Sequence, residues 1–365
     1  MVIPKIVFRL IVFYAFTVSG LVSCTLKDSY PNTIQWDDDP KAIPVEVLTG
    51  IAIHLEPLVG IRRAKVLDSL LIIHGDIKSN QFKVHIYNLN NGEIINSFGS
   101  EGRGPEEFGS AIELQVNRIN NEVIISDFNM RLARIYDLAS IVADRTPEPK
   151  KVISMGEIKG YGISILDENH ILCETILSKI APAEETYQML YKYRLTDSCI
   201  VSEASYPARA FARESITLNV HFEYVYKYSL AIRPDKKSIV AVYAFTDLID
   251  IFDSDLKLTG RIQGPDKISP SFEQVGDNIN IKPKPNSRYC FDIPIAGQSE
   301  FWVHYSGQLF PTDPPRRRIY VFSWNGKAKR CFRFDKETIV FDVDFEKRIG
   351  YGLDPKNGEL YKYNY

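Results

Sequence analysis

The sequence predicts an all-β protein, a six-bladed β-propeller whose ring is closed by an N-terminal strand joining the C-terminal blade. Three observations support this fold class. From residue 45 onward no stretch keeps a 3.6-residue apolar period, so long amphipathic helices are not indicated. Short apolar runs bounded by Asn, Asp, Gly or Pro recur instead, as in strands joined by turns. The 20 tyrosines and 20 phenylalanines suit pleated, half-buried surfaces.

The apolar runs and the residues between them are typical of hairpins in series. Turn chemistry follows several runs, most clearly at Asn90-Asn91-Gly92, Asn325-Gly326 and Asn357-Gly358. We expect strands at LLIIHG (70–75), KVHIYNL (83–89), EVIISDF (122–128), SIVAVYAF (238–245), RIYVFSW (318–324), TIVFDVDF (338–345) and ELYKYNY (359–365).

These runs group into a frame that restarts six times, near Leu67, Ile112, Tyr161, Lys227, Ser287 and Ile339. Dividing residues 41–365 by six gives about 54 residues a unit, near the 40–50 of a propeller blade with longer loops. A closed ring leaves only short, protected strand edges. The last unit holds about three strands, and we expect its fourth from Thr33–Asp37 or Ile51–Glu56. A two-domain array of β-sandwiches is the alternative.

The N-terminus has the layout of a secretory signal. Lys5 and Arg9 form a positive region, and Leu10–Val18 forms an apolar run that is short for a membrane span. The segment Leu21-Val22-Ser23-Cys24 resembles the lipobox of bacterial lipoproteins, in which the cysteine becomes the lipidated first residue. An ordinary signal peptide with a chance cysteine, or an uncleaved anchor, remains as the alternative.

The lipobox divides the chain into a signal peptide at 1–23, a lipidated tether and spacer at 24–40, and the propeller at 41–365. Acyl chains on Cys24 would hold the protein on a lipid membrane, since each buried CH₂ contributes about 0.8 kcal/mol. We therefore expect a protein anchored by lipid to the outer membrane, facing the periplasm or the cell surface.

Charge and cysteine usage exclude some classes of function. The 44 basic and 46 acidic residues give a net charge of -2, which gives no indication of nucleic-acid binding. The remaining cysteines, Cys173, Cys199, Cys290 and Cys331, show no CxxC or Cys/His spacing for zinc. An oxidising envelope permits disulfides among them, and buried free thiols are equally compatible with the sequence.

Three motifs in order carry a family resemblance: IAIHLEPLVG (51–60), FGSEGRGPEEF (98–108) and IISDFNMRLARIYDL (124–138). Together they resemble the TolB-like, NHL-like six-bladed propeller lipoproteins of Gram-negative bacteria, most clearly over residues 45–140. Glu106 stands where the family prefers a glycine after the proline. The resemblance implies the propeller fold and an envelope location, and it implies no particular chemistry.

The glycine-rich loop, residues 98–110, does not match a phosphate-binding motif. Gly99, Gly102 and Gly104 lack the spacing of a P-loop or a dinucleotide loop, and no helical pattern follows. We interpret the loop as a structural joint, with Arg103 bracing it and Phe108 anchored in the seam between two blades. A ligand contact through Arg103 is the alternative.

The best candidate for a binding surface is a tyrosine stripe formed by Phe222, Tyr224, Tyr226 and Tyr228. On a strand these rings share a face and can stack on sugar rings or on side chains of a protein partner. They can equally pack between blades. The sequence therefore favours a binding platform for an envelope protein or a glycan, with no catalytic residue and no cofactor assigned.

The rival function is a propeller hydrolase or lyase that acts on lactones or polysaccharides. Its site would be built from single residues on separate blades, converging on a metal such as Ca²⁺ in the channel. The candidate ligands are two histidines and three aspartates, namely His74, His85, Asp127, Asp342 and Asp344.

Overall fold

The computed structural model forms a β-propeller in which the described residues contain 28 strands and one short helix. Internal contacts divide the chain into Met1–Thr33 and Ile34–Tyr365, and the propeller is built from the second unit. The described residues are 33–35, 43–55, 59–76, 82–109, 112–154, 161–174, 188–207, 226–264, 266–275, 280–284, 287–309, 318–354 and 358–365.

Blades one to three are antiparallel sheets of four sequential strands. Blade one contains β4 (Val59–Leu67), β5 (Leu70–Asp76), β6 (Phe82–Asn88) and β7 (Ile94–Ser100). Blade two contains β8 (Ile112–Asn117), β9 (Glu122–Asp127), β10 (Leu132–Asp137) and β11 (Lys151–Ser154), with helix α1 (Leu138–Ala143) before its last strand. Blade three contains β12 (Tyr161–Ile165), β13 (His170–Glu174), β14 (Gln188–Arg194) and β15 (Cys199–Ser205).

Blades four to six each gain a strand from the N-terminal segment. Blade four contains β16 (Tyr228–Ile232), β17 (Ser238–Tyr243), β18 (Leu248–Asp253) and β19 (Leu258–Gln263), with β1 (Thr33–Gln35) beside β19. A hairpin of β20 (Phe272–Val275) and β21 (Asn280–Pro283) follows. Blade five contains β22 (Arg288–Ala296), β23 (Glu300–Leu309), β24 (Arg318–Ser323) and β25 (Ala328–Phe334), with β2 (Val45–Leu48) beside β25. Blade six contains β26 (Ile339–Asp344), β27 (Ile349–Leu353), β28 (Leu360–Asn364) and β3 (Ile51–Ile53).

The ring is closed by β3, which pairs with the C-terminal strand β28. The register places Ile53 opposite Leu360 and Ile51 opposite Lys362. This confirms the predicted closure and selects Ile51–Glu56 over Thr33–Asp37 as its source. The strand at Thr33–Gln35 lies in blade four instead, so the N-terminal segment covers the outer edges of three successive blades.

The segment that carries β2 and β3 is fastened to blade five by specific contacts. Glu46 forms a two-point ion pair with Arg330, at 2.9 and 2.7 Å. Asp335 donates its backbone N–H to the carbonyl of Leu48, and its side chain accepts the backbone N–H of Gly50. These contacts hold the chain at the point where it passes from blade five to blade six.

The apolar core lies in the seams between blades. One cluster joins blades one and two through Phe98, Phe108 and Ile125, and it includes Ile141 of α1. Another joins blades four and five through Val242, Phe291 and other residues of β17, β22 and β23. Large aromatic side chains fill these seams because facing sheets need bulky partners to remove apolar surface from water.

Candidate functional site

The glycine-rich loop is a structural joint, as its sequence indicates, but Arg134 braces it rather than Arg103. Phe108 is 1% exposed and lies under the Arg134 guanidinium, which is 5.0 Å from the ring centroid. Arg134 also donates to the carbonyl of Glu107 at 3.0 Å, while Arg103 is exposed. Gly99 has φ +71, and a Cβ there would lie 2.1 Å from the Phe108 ring. Glycine is therefore required at this position.

The predicted metal ligand Asp127 accepts hydrogen bonds from the backbone of two loops. It is fully buried, and its two oxygens accept the backbone N–H groups of Gly109 at 2.6 Å and Met130 at 3.0 Å. Both partners lie in the connections that precede β8 and follow β9. Asp127 thus fixes two loops at one end of blade two.

His74 and His85 project to opposite faces of blade one. In the β5–β6 register His74 lies opposite Val84, whereas His85 lies opposite Ile73. Directly opposed residues share a face and successive residues alternate, so the two imidazoles point away from each other. His85 Nδ1 contacts Ser97 Oγ at 2.8 Å. The register therefore does not bring the two rings to a common ligand.

Asp342 and Asp344 have separate protein partners. Asp342 is buried, and its carboxylate accepts the Val66 backbone N–H at 2.7 Å and an Arg118 N–H at 2.8 Å. Asp344 accepts backbone N–H groups within the turn that follows β26 and lies 3.6 Å from Lys347 Nζ. Across the part of the chain that the structure describes, no group of three or more His, Cys, Asp or Glu could hold a metal ion.

The tyrosine stripe is only partly within the described residues, because Phe222 and Tyr224 lie outside them. Tyr226 is buried against Tyr243, with ring centroids 6.0 Å apart, and it packs in the seam between blades three and four. Tyr228 begins β16 and donates its hydroxyl to the carbonyl of Met189 at 2.7 Å. Tyr226 therefore serves packing, whereas Tyr228 also lines a cleft on the other side of its blade.

This cleft between blades four and five, here called the blade 4–5 cleft, has a volume of about 330 Å³. Two hydrogen bonds join its walls: Cys290 donates its N–H to the carbonyl of Ala244 at 2.8 Å, and Ser229 donates its hydroxyl to Asp292 at 3.3 Å. The lining side chains that reach it include Tyr228, Ser229, Tyr289, Asp292, Tyr305 and Gln308. It is a mixed surface of aromatic rings and short polar groups.

Tyr289 forms an exposed aromatic wall of the cleft. The ring is 41% exposed and stacks on Phe245, with centroids 5.2 Å apart and planes at 28°. Phe245 is buried and meets Phe272 edge to face at 5.2 Å. This aromatic stack fixes the Tyr289 ring where it lines the cleft.

The strand that carries Tyr289 is irregular on the cleft wall. The β22–β23 register shifts between Tyr289 and Phe291 and again between Asp292 and Ile295. Ile293 has φ +43, a left-handed conformation that is strained for a β-branched residue. Bulges re-aim side chains and are common beside functional sites. This cleft could not be predicted from the sequence, because the apolar pattern of RYCFDIPIA (288–296) gives no signal for where the strand pairing becomes irregular.

The thiol in the cleft is not an activated nucleophile. Burial raises the pKa of Cys290 well above its usual range, and the nearby carboxylates of Asp247 and Asp266 act in the same direction. A thiol with a raised pKa stays protonated at neutral pH. The four described cysteines, Cys173, Cys199, Cys290 and Cys331, are all free. Burial likewise raises the pKa of Cys173 to about 12 and that of Cys331 to about 11.

A second cleft, of about 440 Å³, opens between blades two and three and the β16–β17 turn. Several of its charged side chains form ion pairs with one another. Lys150 pairs with Glu122 at 3.0 Å and with Asp137 at 3.3 Å. It lacks an exposed aromatic wall among the residues described, so the blade 4–5 cleft is the better candidate for recognition.

The membrane-anchor prediction at Cys24 lies outside the described residues, as do the signal peptide and most of the spacer. Among the residues that the structure describes, no helix is both long and apolar enough to span a membrane.

Comparison with known proteins gives a family match and distant structural relatives. A family model described as TolB-like 6-blade propeller-like matches residues 62–346. A solved structure of a DUF4221 family member from Bacteroides vulgatus is 10% identical with a TM-score of 0.52, covering 88% of this chain and 97% of that one. The Cps50 (Swd1) β-propeller domain of Myceliophteria thermophila is 9% identical with a TM-score of 0.47, covering 87% and 99%. No curated protein matches the sequence. At these identities the structural likeness concerns the fold alone.

Proposed function

Given that the chain belongs to the TolB-like six-bladed propeller family, we propose that it is an envelope lipoprotein whose propeller binds a protein or glycan partner. The blade 4–5 cleft carries this proposal. It combines a partly exposed ring on a fixed aromatic stack, several polar side chains in the lining, and a strained strand in one wall. Backbone strain persists only where the surrounding structure enforces it, and it clusters at ligand-binding sites.

The anchored location is part of the same proposal and rests on the sequence alone. Cleavage after Ser23 would leave Cys24 as the lipidated N-terminus, and the spacer to residue 40 would separate the propeller from the outer membrane. Incorporation of radioactive palmitate tests this step. We expect labelling of the wild-type protein and loss of labelling in Cys24→Ala, whereas equal labelling of both would contradict lipidation at this cysteine.

Binding is tested with the full-length protein, captured from detergent-solubilised envelope and applied in parallel to a glycan array. Gln308→Trp places a bulky ring in the blade 4–5 cleft and should reduce retention of any occupant by about tenfold, equivalent to about 1.4 kcal/mol. Gln188→Trp, on a half-buried strand position of blade three, is the matched control and should leave retention unchanged. A wild-type protein that recovers neither a protein nor a glycan would refute the platform function.

A further inference from the structure

We propose that the second cleft, between blades two and three and the β16–β17 turn, binds an aliphatic carboxylate. Its isoleucine-rich floor holds the hydrocarbon chain, and the Lys236 ammonium binds the carboxylate. The two clefts share none of the lining residues described for them, so this site goes beyond the function proposed above and does not depend on it. Three properties of the second cleft support the assignment: an aliphatic floor, a lysine without a bound counter-charge, and carboxylates that already have basic partners.

The floor of the second cleft is aliphatic. Blades two and three meet in an apolar seam, and four residues of that seam also line the cleft. None of the described lining residues is aromatic, so the cleft lacks a flat ring on which a sugar or a nucleobase would stack. A hydrocarbon chain needs only aliphatic contact to leave water. The floor residues are Ile124, Ile135, Ile153, Ile165 and Leu166.

Ile119 extends this apolar surface to the rim of the cleft. It lies in the turn between β8 and β9, lines the cleft and is 70% exposed, the highest value among the described large hydrophobic side chains that are exposed. A chain that covers Ile119 removes its apolar surface from water, which favours binding. The cleft volume of about 440 Å³ lies within the range of about 300–1,000 Å³ that is usual for small-molecule sites.

Lys236 supplies the positive charge. Its backbone N–H donates to the carbonyl of Arg233 at 2.8 Å, which fixes the β16–β17 turn, and the residue is half-buried in the cleft lining. Burial lowers the pKa of Lys236, while Glu122 acts in the opposite direction across space. Within the described part of the chain, the ammonium forms no hydrogen bond or ion pair with a protein group. A bound carboxylate would therefore replace the hydration that burial removes.

The carboxylates of the lining leave the cleft open to an anion. Three of the four have a basic partner within ion-pair distance, so they do not compete for Lys236. Outside these pairs the charged lining residues are Glu168, Lys151 and Lys236, which favours an anionic ligand over a cationic one. The three pairs are Glu122 with Lys150 at 3.0 Å, Asp167 with His170 at 2.9 Å, and Asp235 with Arg233 at 3.4 Å.

Equilibrium dialysis of the full-length protein against radiolabelled decanoate tests the assignment. We expect saturable binding with a Kd of about 10–500 µM. Unlabelled octanoate should compete about fivefold or more less well than decanoate, because each buried CH₂ contributes a factor of about four. Decyltrimethylammonium and decyl glucoside carry the same chain with a cationic and a neutral head. Each should compete about tenfold less well than decanoate, since neither can pair with Lys236.

Variants of the β16–β17 turn test the role of Lys236. Lys236→Met keeps the unbranched side chain and removes the charge, and it should weaken decanoate binding about tenfold. Lys236→Arg keeps the charge and should stay within about threefold of wild type. Lys237→Met, at an exposed position of the same turn outside the cleft lining, is the matched control and should bind as wild type does. Because all variants are prepared in the same detergent, uptake of decanoate into micelles is the same for each.

The aliphatic contact is tested at the rim. Ile119→Ser should weaken decanoate binding about threefold, whereas Ile200→Ser, at an exposed position of β15 in blade three, should leave it unchanged. A wild-type protein without saturable decanoate binding, or equal affinities of wild type and Lys236→Met, would overturn the inference. Competition by decyltrimethylammonium or decyl glucoside that matches decanoate would overturn it as well.

Discussion

At the scale of single residues, chemistry alone does not distinguish a ligand from a structural brace. Asp127 and Asp342 are carboxylates on strands, as a metal site requires, yet each accepts hydrogen bonds from backbone groups and, for Asp342, from Arg118. Val66 is 276 positions from Asp342 in the chain, so no local pattern could reveal that contact. Tyr289 was missed for a related reason, since its stack on Phe245 of blade four is a contact between residues distant in the sequence.

Glu174, at the end of β13, is a carboxyl group whose pKa is raised by its surroundings in the fold. Burial and the nearby carboxylate of Glu113 raise its pKa to about 8, while Arg63 acts in the opposite direction. Because the folded-state pKa lies above the unfolded value of 4.5, its contribution to stability is full below pH 4.5. That contribution falls as pH rises and is lost above about pH 8.

We therefore expect Glu174→Gln to be more stable than wild type at pH 9 and similar to it at pH 5. The gain at pH 9 should be about 1 kcal/mol or more, since each pKa unit corresponds to about 1.4 kcal/mol. Thermal unfolding across pH measures it, with exposed Glu203→Gln as the control. Parallel pH profiles for Glu174→Gln and wild type would show that Glu174 ionises normally.

At the scale of elements, strand positions were largely predictable and strand irregularities were not. The expected restarts at Ile112, Tyr161 and Ile339 coincide with the first residues of β8, β12 and β26. The predicted restart at Leu67 was eight residues too late, since β4 begins at Val59. Charged residues within β4 interrupt its apolar pattern and hid the start of the strand. Hairpins follow from turn residues and periodicity, whereas a bulge depends on what the neighbouring blade presents.

The joint between blades one and two gives a prediction at this scale. Arg134→Ala removes a buried guanidinium that covers Phe108 and bonds the loop carbonyl of Glu107, so we expect a loss of about 2–3 kcal/mol in the free energy of unfolding. Arg103→Ala, in the exposed part of the same loop, should stay within about 0.5 kcal/mol of wild type. Urea unfolding of both variants measures the difference. The reverse order would restore Arg103 as the brace.

At the scale of the whole molecule, six blades with an N-terminal closing strand were predictable from repetition and from the physical cost of open sheet edges. The sequence did not indicate that the same segment would first pass along blades four and five. In the structure β1 pairs with blade four and β2 pairs with blade five, and the Glu46–Arg330 ion pair holds β2 in place. The closing strand β3 is thus the last of three N-terminal strands that cover the outer edges of blades four, five and six.

Ring closure by β3 is the premise on which the position of every blade depends, and a disulfide across β3 and β28 tests it directly. In a Cys199→Ser background, which removes the exposed native thiol, Ile51→Cys and Lys362→Cys place cysteines at opposed register positions. We predict that oxidation joins them and raises the free energy of unfolding by about 2–4 kcal/mol. The control pair Ile51→Cys with Lys65→Cys, in different blades, should remain reduced. Two thiols at 51 and 362 that both stay reactive to maleimide after oxidation would contradict the closed ring.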